Sequence, residues 1–163
     1  MNESGVKISV QSHEVVRHLT EVVIYPYHAK RAESEEFRKN KQRLKDDGHF
    51  RCWVCGKTDG LAVHHFGCEW ALADICDFDK LKKFCETFDP YGYGNLLMHR
   101  PMSSVDDIRN LLVLCEEHHV GGSKDGSANG IHEITFPVWL IQKLAKTGED
   151  PVPERKESPN ASF

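Results

Sequence analysis

The sequence predicts a small α+β domain pinned by a bound metal ion, and three observations lead there. Two short apolar runs, LAVHHF at 61–66 and NLLVLC at 110–115, have the length of strands. A run dominated by helix formers, AKRAESEEFRKNKQRLKD at 29–46, precedes them. Two pairs of soft ligands share one spacing, Cys52-x-x-Cys55 and Cys115-x-x-His118, and each pair lies beside one of the apolar runs.

Bulk properties agree with that class. A chain of 163 residues, 39% hydrophobic and 28% charged, suits one domain with appendages. It has no apolar run long enough for a membrane span, and its start, MNESGVKISV, lacks the basic-then-apolar pattern of a secretory signal, so a cytoplasmic setting is expected. In a reducing compartment, six cysteines and ten histidines point to metal or free thiols rather than disulfides. A net charge of −4 argues against a general nucleic-acid coat, yet leaves room for local contacts with phosphates.

The elements follow in order. Residues 1–28 form an N-terminal extension in which VKISVQSHEVVRHLTEVVIYPY, 6–27, reads as one or two strands. The helix at 29–46 contains no Gly or Pro, and between 30 and 45 seven basic residues stand against three acidic ones. That excess is either a solvated face or a phosphate-facing surface, with Lys39, Lys41 and Arg43 the candidate substrate contacts. Gly48 ends the helix, and HFRCWVCGKTDG forms a tight knuckle in which Gly56 allows the reversal. After the 61–66 strand, residues 66–109 are an insert with helices over 69–74 and 79–88 and a turn cluster, DPYGYGN, at 89–95. The insert carries Trp70, Tyr91, Tyr93, His99 and Arg100, and is either a packed helical cap or a grip on substrate by stacking and charge. The 110–115 strand runs into a helix near Glu116, then a glycine-rich loop at 121–130. Pro137 opens a last helix, PVWLIQKLAK, and 147–163 reads as a disordered tail.

Zinc takes four N or S ligands in a tetrahedron, and two paired donors are the usual supply. Cys52, Cys55, Cys115 and His118 therefore predict a structural Cys₃His zinc site. Such sites contribute about 10–16 kcal/mol of apparent binding energy in small peptides, far more than a small mixed core gives alone. A redox pair at 52–55, or buried thiols throughout, are the competing readings. Cys68, Cys76 and Cys85 lack knuckle spacing and read as core or free thiols.

The order of these pieces is specific: CxxC, an apolar strand ending in His-His, an insert, then Asn-Leu-Leu-Val-Leu-Cys-x-x-His-His. It resembles the HNH endonucleases over Cys52 to His119. The resemblance implies a ββα-metal, treble-clef-like core with flanking helices and a helical insert, within a nuclease domain spanning 47–146. It also implies that His64 binds a catalytic divalent ion (Mg²⁺, Mn²⁺, Ni²⁺ or Zn²⁺), that His65 is the general base, and that His119 is a second ligand while His118 serves the structural zinc. Asn110 would brace the loop that orients the base; Asn110, or a backbone carbonyl it positions, is the expected acceptor for the imidazole. Where some family members have a further histidine, position 123 is Ser. His132 is the candidate third ligand, with Asp106 and Asp107 as others. The implied activity is hydrolysis of DNA phosphodiester bonds, by nicking or cutting, to leave 5′-phosphate and 3′-hydroxyl ends. Size and family distribution suggest a phage protein acting in the host cytoplasm. The alternative is a zinc-stabilised module on an inactive HNH scaffold that binds nucleic acid, a nucleotide or a protein.

Overall fold

The computed structural model describes residues 30–121, 130–132 and 138–149. The strands expected within 6–27, most of the glycine-rich loop, Pro137 and the tail beyond 149 lie outside those residues. The described residues form a small α+β arrangement around a two-stranded antiparallel sheet, β1 (Leu61–His65) paired with β2 (Leu111–Cys115). The register sets Leu61 opposite Cys115, His64 opposite Leu112 and His65 opposite Leu111.

Strand alternation gives the sheet two different faces. Val63, Leu111 and Val113 pack with Phe37 and Leu44 of helix α1 (Glu35–Asp46). Leu112 and Leu114 pack with Cys52 and Cys115 on the knuckle side. Phe37 and Leu44 are seven residues apart, so they share one stripe of α1, and Asn40 between them donates to the Asp106 carbonyl at 2.8 Å. Helix α1 starts later than its composition suggests. The Ser34 hydroxyl accepts from the Phe37 N–H at 2.9 Å, an N-cap that fixes the first turn, and Glu35 and Glu36 sit where the helix dipole favours acids.

The insert folds as a 3₁₀ turn (Trp70–Ile75), helix α2 (Phe78–Thr87) and a short helix α3 (Tyr93–Leu96). Asp77 caps α2 by accepting from the Asp79 and Lys80 N–H groups. Its apolar face, Leu72, Ile75 and Leu81 among others, packs against Leu140, Ile141 and Leu144 of helix α5 (Val138–Leu144). Tyr91 and Tyr93 are tied into the fold: the Tyr91 hydroxyl oxygen accepts from the Val113 N–H at 2.9 Å, and Tyr93 donates to Asp47 at 2.6 Å. Buried Arg109 donates to the Leu97, Arg100 and Pro101 carbonyls and to Asp107, which pins the insert to the approach of β2. Asp107 is thus committed to an ion pair and a turn rather than to a metal.

No helix among the described residues is long and apolar enough to cross a membrane.

Candidate functional site

Two ligand clusters flank a five-residue helix, α4 (Glu116–Val120), which leaves β2 directly. The first gathers Cys52, Cys55, Cys115 and His118. The Cys55 and Cys115 sulfurs are 3.8 Å apart, and Cys52 Sγ lies 3.6 Å from His118 Nδ1. A tetrahedral zinc with bonds of ~2.3 Å to sulfur and ~2.05 Å to nitrogen would set those separations at roughly 3.8 and 3.6 Å. Cys115 Sγ and His118 Nδ1 are closer, at 3.2 Å. The backbone builds the cage: Cys52 N–H donates to the Lys57 carbonyl and Gly56 N–H to the Cys52 carbonyl, both at 2.8 Å, while Trp53 N–H reaches across to Val113. Burial opposes ionisation of Cys52, but backbone hydrogen bonds from Cys115, Cys55 and Val54 bring its thiol down to about 6. Neighbouring Cys55 is raised, with its sulfur neighbours Cys52 and Cys115 opposing a second negative charge even though a backbone hydrogen bond from Lys57 favours it. Crowded thiolates of this kind are the donor set that a divalent cation satisfies, and the four residues could hold a metal ion such as zinc.

The second cluster is His64, His119 and His132, each of which offers one ring nitrogen within 4.8 Å of the nitrogens offered by the other two. His119 Nε2 and His132 Nε2 are 3.0 Å apart. Residues 131 and 132 are brought to α4 by backbone hydrogen bonds, Ile131 N–H to the His118 carbonyl at 2.8 Å and His132 N–H to the His119 carbonyl at 3.2 Å. The approach is tight at Gly130, where a Cβ would meet the Val120 and Gly121 nitrogens at 2.4 Å. Burial, then the neighbouring His132 and His119, depress His64 to about 3. Burial and His132 also lower His119. Neutral imidazole is the form that binds metal. The other nitrogen of His132 lies 3.6 Å from Glu69, a carboxylate behind a histidine as metal sites commonly have. These three histidines could hold a second ion.

Both histidines of the pair on β1 line one cleft of about 210 Å³, together with Arg31, Glu69, Trp70, His119 and His132. His64 faces α4, its ring 5.4 Å from that of His119. His65 faces α1, its ring 5.4 Å from Phe37. His65 Nε2 lies 2.7 Å from Asp106 Oδ1. The acceptor for the imidazole is therefore Asp106, not Asn110 or a carbonyl. The hydrogen bond from His65 holds the Asp106 carboxyl below the usual range. Asn110 is fully buried and braces the loop after β1. Its oxygen accepts from the Gly67 and Cys68 N–H groups, and its amide donates to the Cys68 and Val105 carbonyls.

Lys39, Lys41 and Arg43 do not line the cleft. Their charged ends face Glu35, Glu33 and Asp47. The cation in the cleft is Arg31, which sequence reasoning counted in the basic run but did not single out; its guanidinium sits 5.5 Å from the Phe37 ring. Cys68, Cys76 and Cys85 are buried. Cys68 is pushed up by its hydrogen bond with Cys76 and by burial, and burial lifts Cys85 to about 12, so neither supplies a thiolate at neutral pH.

Comparison with models of known protein families, with curated proteins and with solved structures found no match to this chain.

Proposed function

We propose that this chain is a metal-dependent endonuclease of the HNH type that hydrolyses DNA phosphodiester bonds. One observation carries the reading: the His64, His119 and His132 cluster shares a cleft with His65, the next residue of the same strand. On this reading the nuclease unit runs over 47–146 with 66–109 inserted between its strands, and Cys52, Cys55, Cys115 and His118 hold a structural zinc. A divalent ion on the three histidines would stabilise the negative charge that develops on the leaving 3′-oxygen. His65 takes the proton of the attacking water as the new P–O bond forms. The bond to the 3′-oxygen breaks, that oxygen gains a proton from solvent, and a 5′-phosphate remains on the other fragment. Asn110 holds the post-strand loop in place, and Arg31 brings positive charge to the phosphate.

The test is conversion of supercoiled plasmid to nicked or linear DNA with Mg²⁺, Mn²⁺, Ni²⁺ or Zn²⁺, set beside His65→Ala and a count of bound ions. Nicking that His65→Ala abolishes, with two ions per chain, supports the reading. One ion and no nicking with any metal replaces it with a zinc-stabilised binding module.

A further inference from the structure

Asp106 and Ser34 touch no reacting atom, yet they form a continuous polar chain that ends on His65, a residue of the cleft. Asp106 Oδ1 meets His65 Nε2 at 2.7 Å, and Asp106 Oδ2 accepts from the Ser34 hydroxyl at 2.6 Å. That hydroxyl also accepts from the Phe37 N–H, so one oxygen both caps α1 and holds the carboxylate. Asp106 is fixed from its backbone too, by Asn40 on its carbonyl at 2.8 Å and by Ser104 on its N–H at 3.0 Å. Each atom of Asp106 that can make a hydrogen bond therefore has a partner, and the Phe37 ring closes the side of His65 facing α1.

We propose that Asp106 is the positioning residue for His65, with Ser34 holding Asp106, so that the start of α1 is part of the active site. This rests on the nuclease reading for its catalytic consequence. A carboxylate accepts and cannot donate, so it fixes the neutral His65 ring with its proton on Nε2. Nδ1 is then the bare nitrogen left to take a proton from water. The arrangement is that of a buried aspartate orienting a catalytic histidine, with Asp106 remaining ionised throughout. Arg31, Ser34, Phe37 and Asn40 would act as one unit, which gives α1 a role at the site other than the electrostatic one read from its lysines.

Nitrogen-15 NMR of the imidazoles in the metal-loaded full chain, assigned by loss of the His65 signals in His65→Ala, reads the proton position directly. The expected result is a slowly exchanging proton on His65 Nε2 and a bare Nδ1, with that slow exchange lost in Asp106→Ala. In nicking kinetics, Asp106→Ala should lower kcat roughly 10–100-fold with KM within about twofold. Ser34→Ala should lower kcat less, and Ser34→Thr, which keeps the hydroxyl, should restore it. A wild-type proton on Nδ1, an Nε2 proton as protected in Asp106→Ala as before, or an unchanged kcat in that variant overturns the proposal. Should Asp106→Ala not fold, isosteric Asp106→Asn carries the kinetic arm, and wild-type kcat there overturns it equally. A wild-type chain that nicks no DNA refutes the nuclease reading alone, because the NMR result still decides whether Asp106 sets the ring.

Discussion

Arg31 is the cation that opens onto the cleft, and its neighbours explain what it does there. It adds to the lowered proton affinity of His64 and His119 and shares the cleft lining with Glu69. A charged hydrogen bond to a phosphate is worth about 1.5–3 kcal/mol, so on the proposed nuclease reading Arg31→Ala should weaken DNA binding roughly 10–100-fold. Fluorescence anisotropy on a His65→Ala background measures this without turnover, and an unchanged affinity would return Arg31 to solvent. His65→Ala itself should keep the fold by circular dichroism while reducing the nicking rate by about 10²–10⁴-fold. His64 contributes to the acid limb of stability. Its folded value of about 3 lies below the ordinary value of 6.5, so the unfolded chain binds the proton more readily between them. The metal-free protein should therefore have its full His64 contribution above about 6.5 and lose it progressively as pH falls toward about 3, as denaturant midpoints across that window would show.

At the scale of elements, the loop between β1 and the 3₁₀ turn is packed closely against the Asn110 brace. A Cβ on Gly67 would meet Asn110 Oδ1 and Leu81 Cδ1, both at 2.8 Å. Gly67→Ala should therefore cost about 1–3 kcal/mol in urea unfolding, through displacement of the Asn110 brace. Much of this architecture was legible in the sequence. Strand-length apolar runs ending in ligands predicted β1 and β2 within one residue at each end, because a buried two-stranded sheet leaves little choice of composition. The paired spacings foretold which four donors meet, since a CxxC turn and a CxxH turn each fix two ligands locally. Helix α1 begins six residues past its predicted start at 29, since the capping hydroxyl of Ser34 outweighs the propensity of the residues before it. The partnership of Asp106 with His65 spans 41 residues and depends on how the insert folds, so no local pattern announces it. His132 was only a candidate because its place depends on backbone hydrogen bonds to α4 and on the close approach at Gly130.

At the scale of the molecule, the apolar side chains of the described residues divide into separate clusters: one under the insert and α5, one between α1 and the sheet, and a small one at the knuckle built on Cys52, Leu112, Leu114 and Cys115. The last contains four buried residues, a small core to which an ion on the knuckle ligands would add. Removing metal with a chelator, or replacing Cys52 by Ser, should lower stability by several kcal/mol, read as a fall in Tm by circular dichroism. Zinc affinity should also weaken as pH drops, because protons compete for the raised Cys55 thiol and, below about 6, for Cys52 as well, and a competition titration with a chromogenic chelator at stepped pH would follow it.

His118 and His119 are successive residues of a five-residue helix, and each belongs to a different cluster. No spacer separates scaffold from chemistry at that point. Cys55 is solvent-exposed and meets Cys115 just before α4, so with an ion held by the knuckle, an oxidant or electrophile that captured the Cys55 sulfur would remove one of the ligands that anchor the start of the helix carrying His119. On the nuclease reading, the enzyme would be silenced from its outer rim by an agent that never enters the cleft.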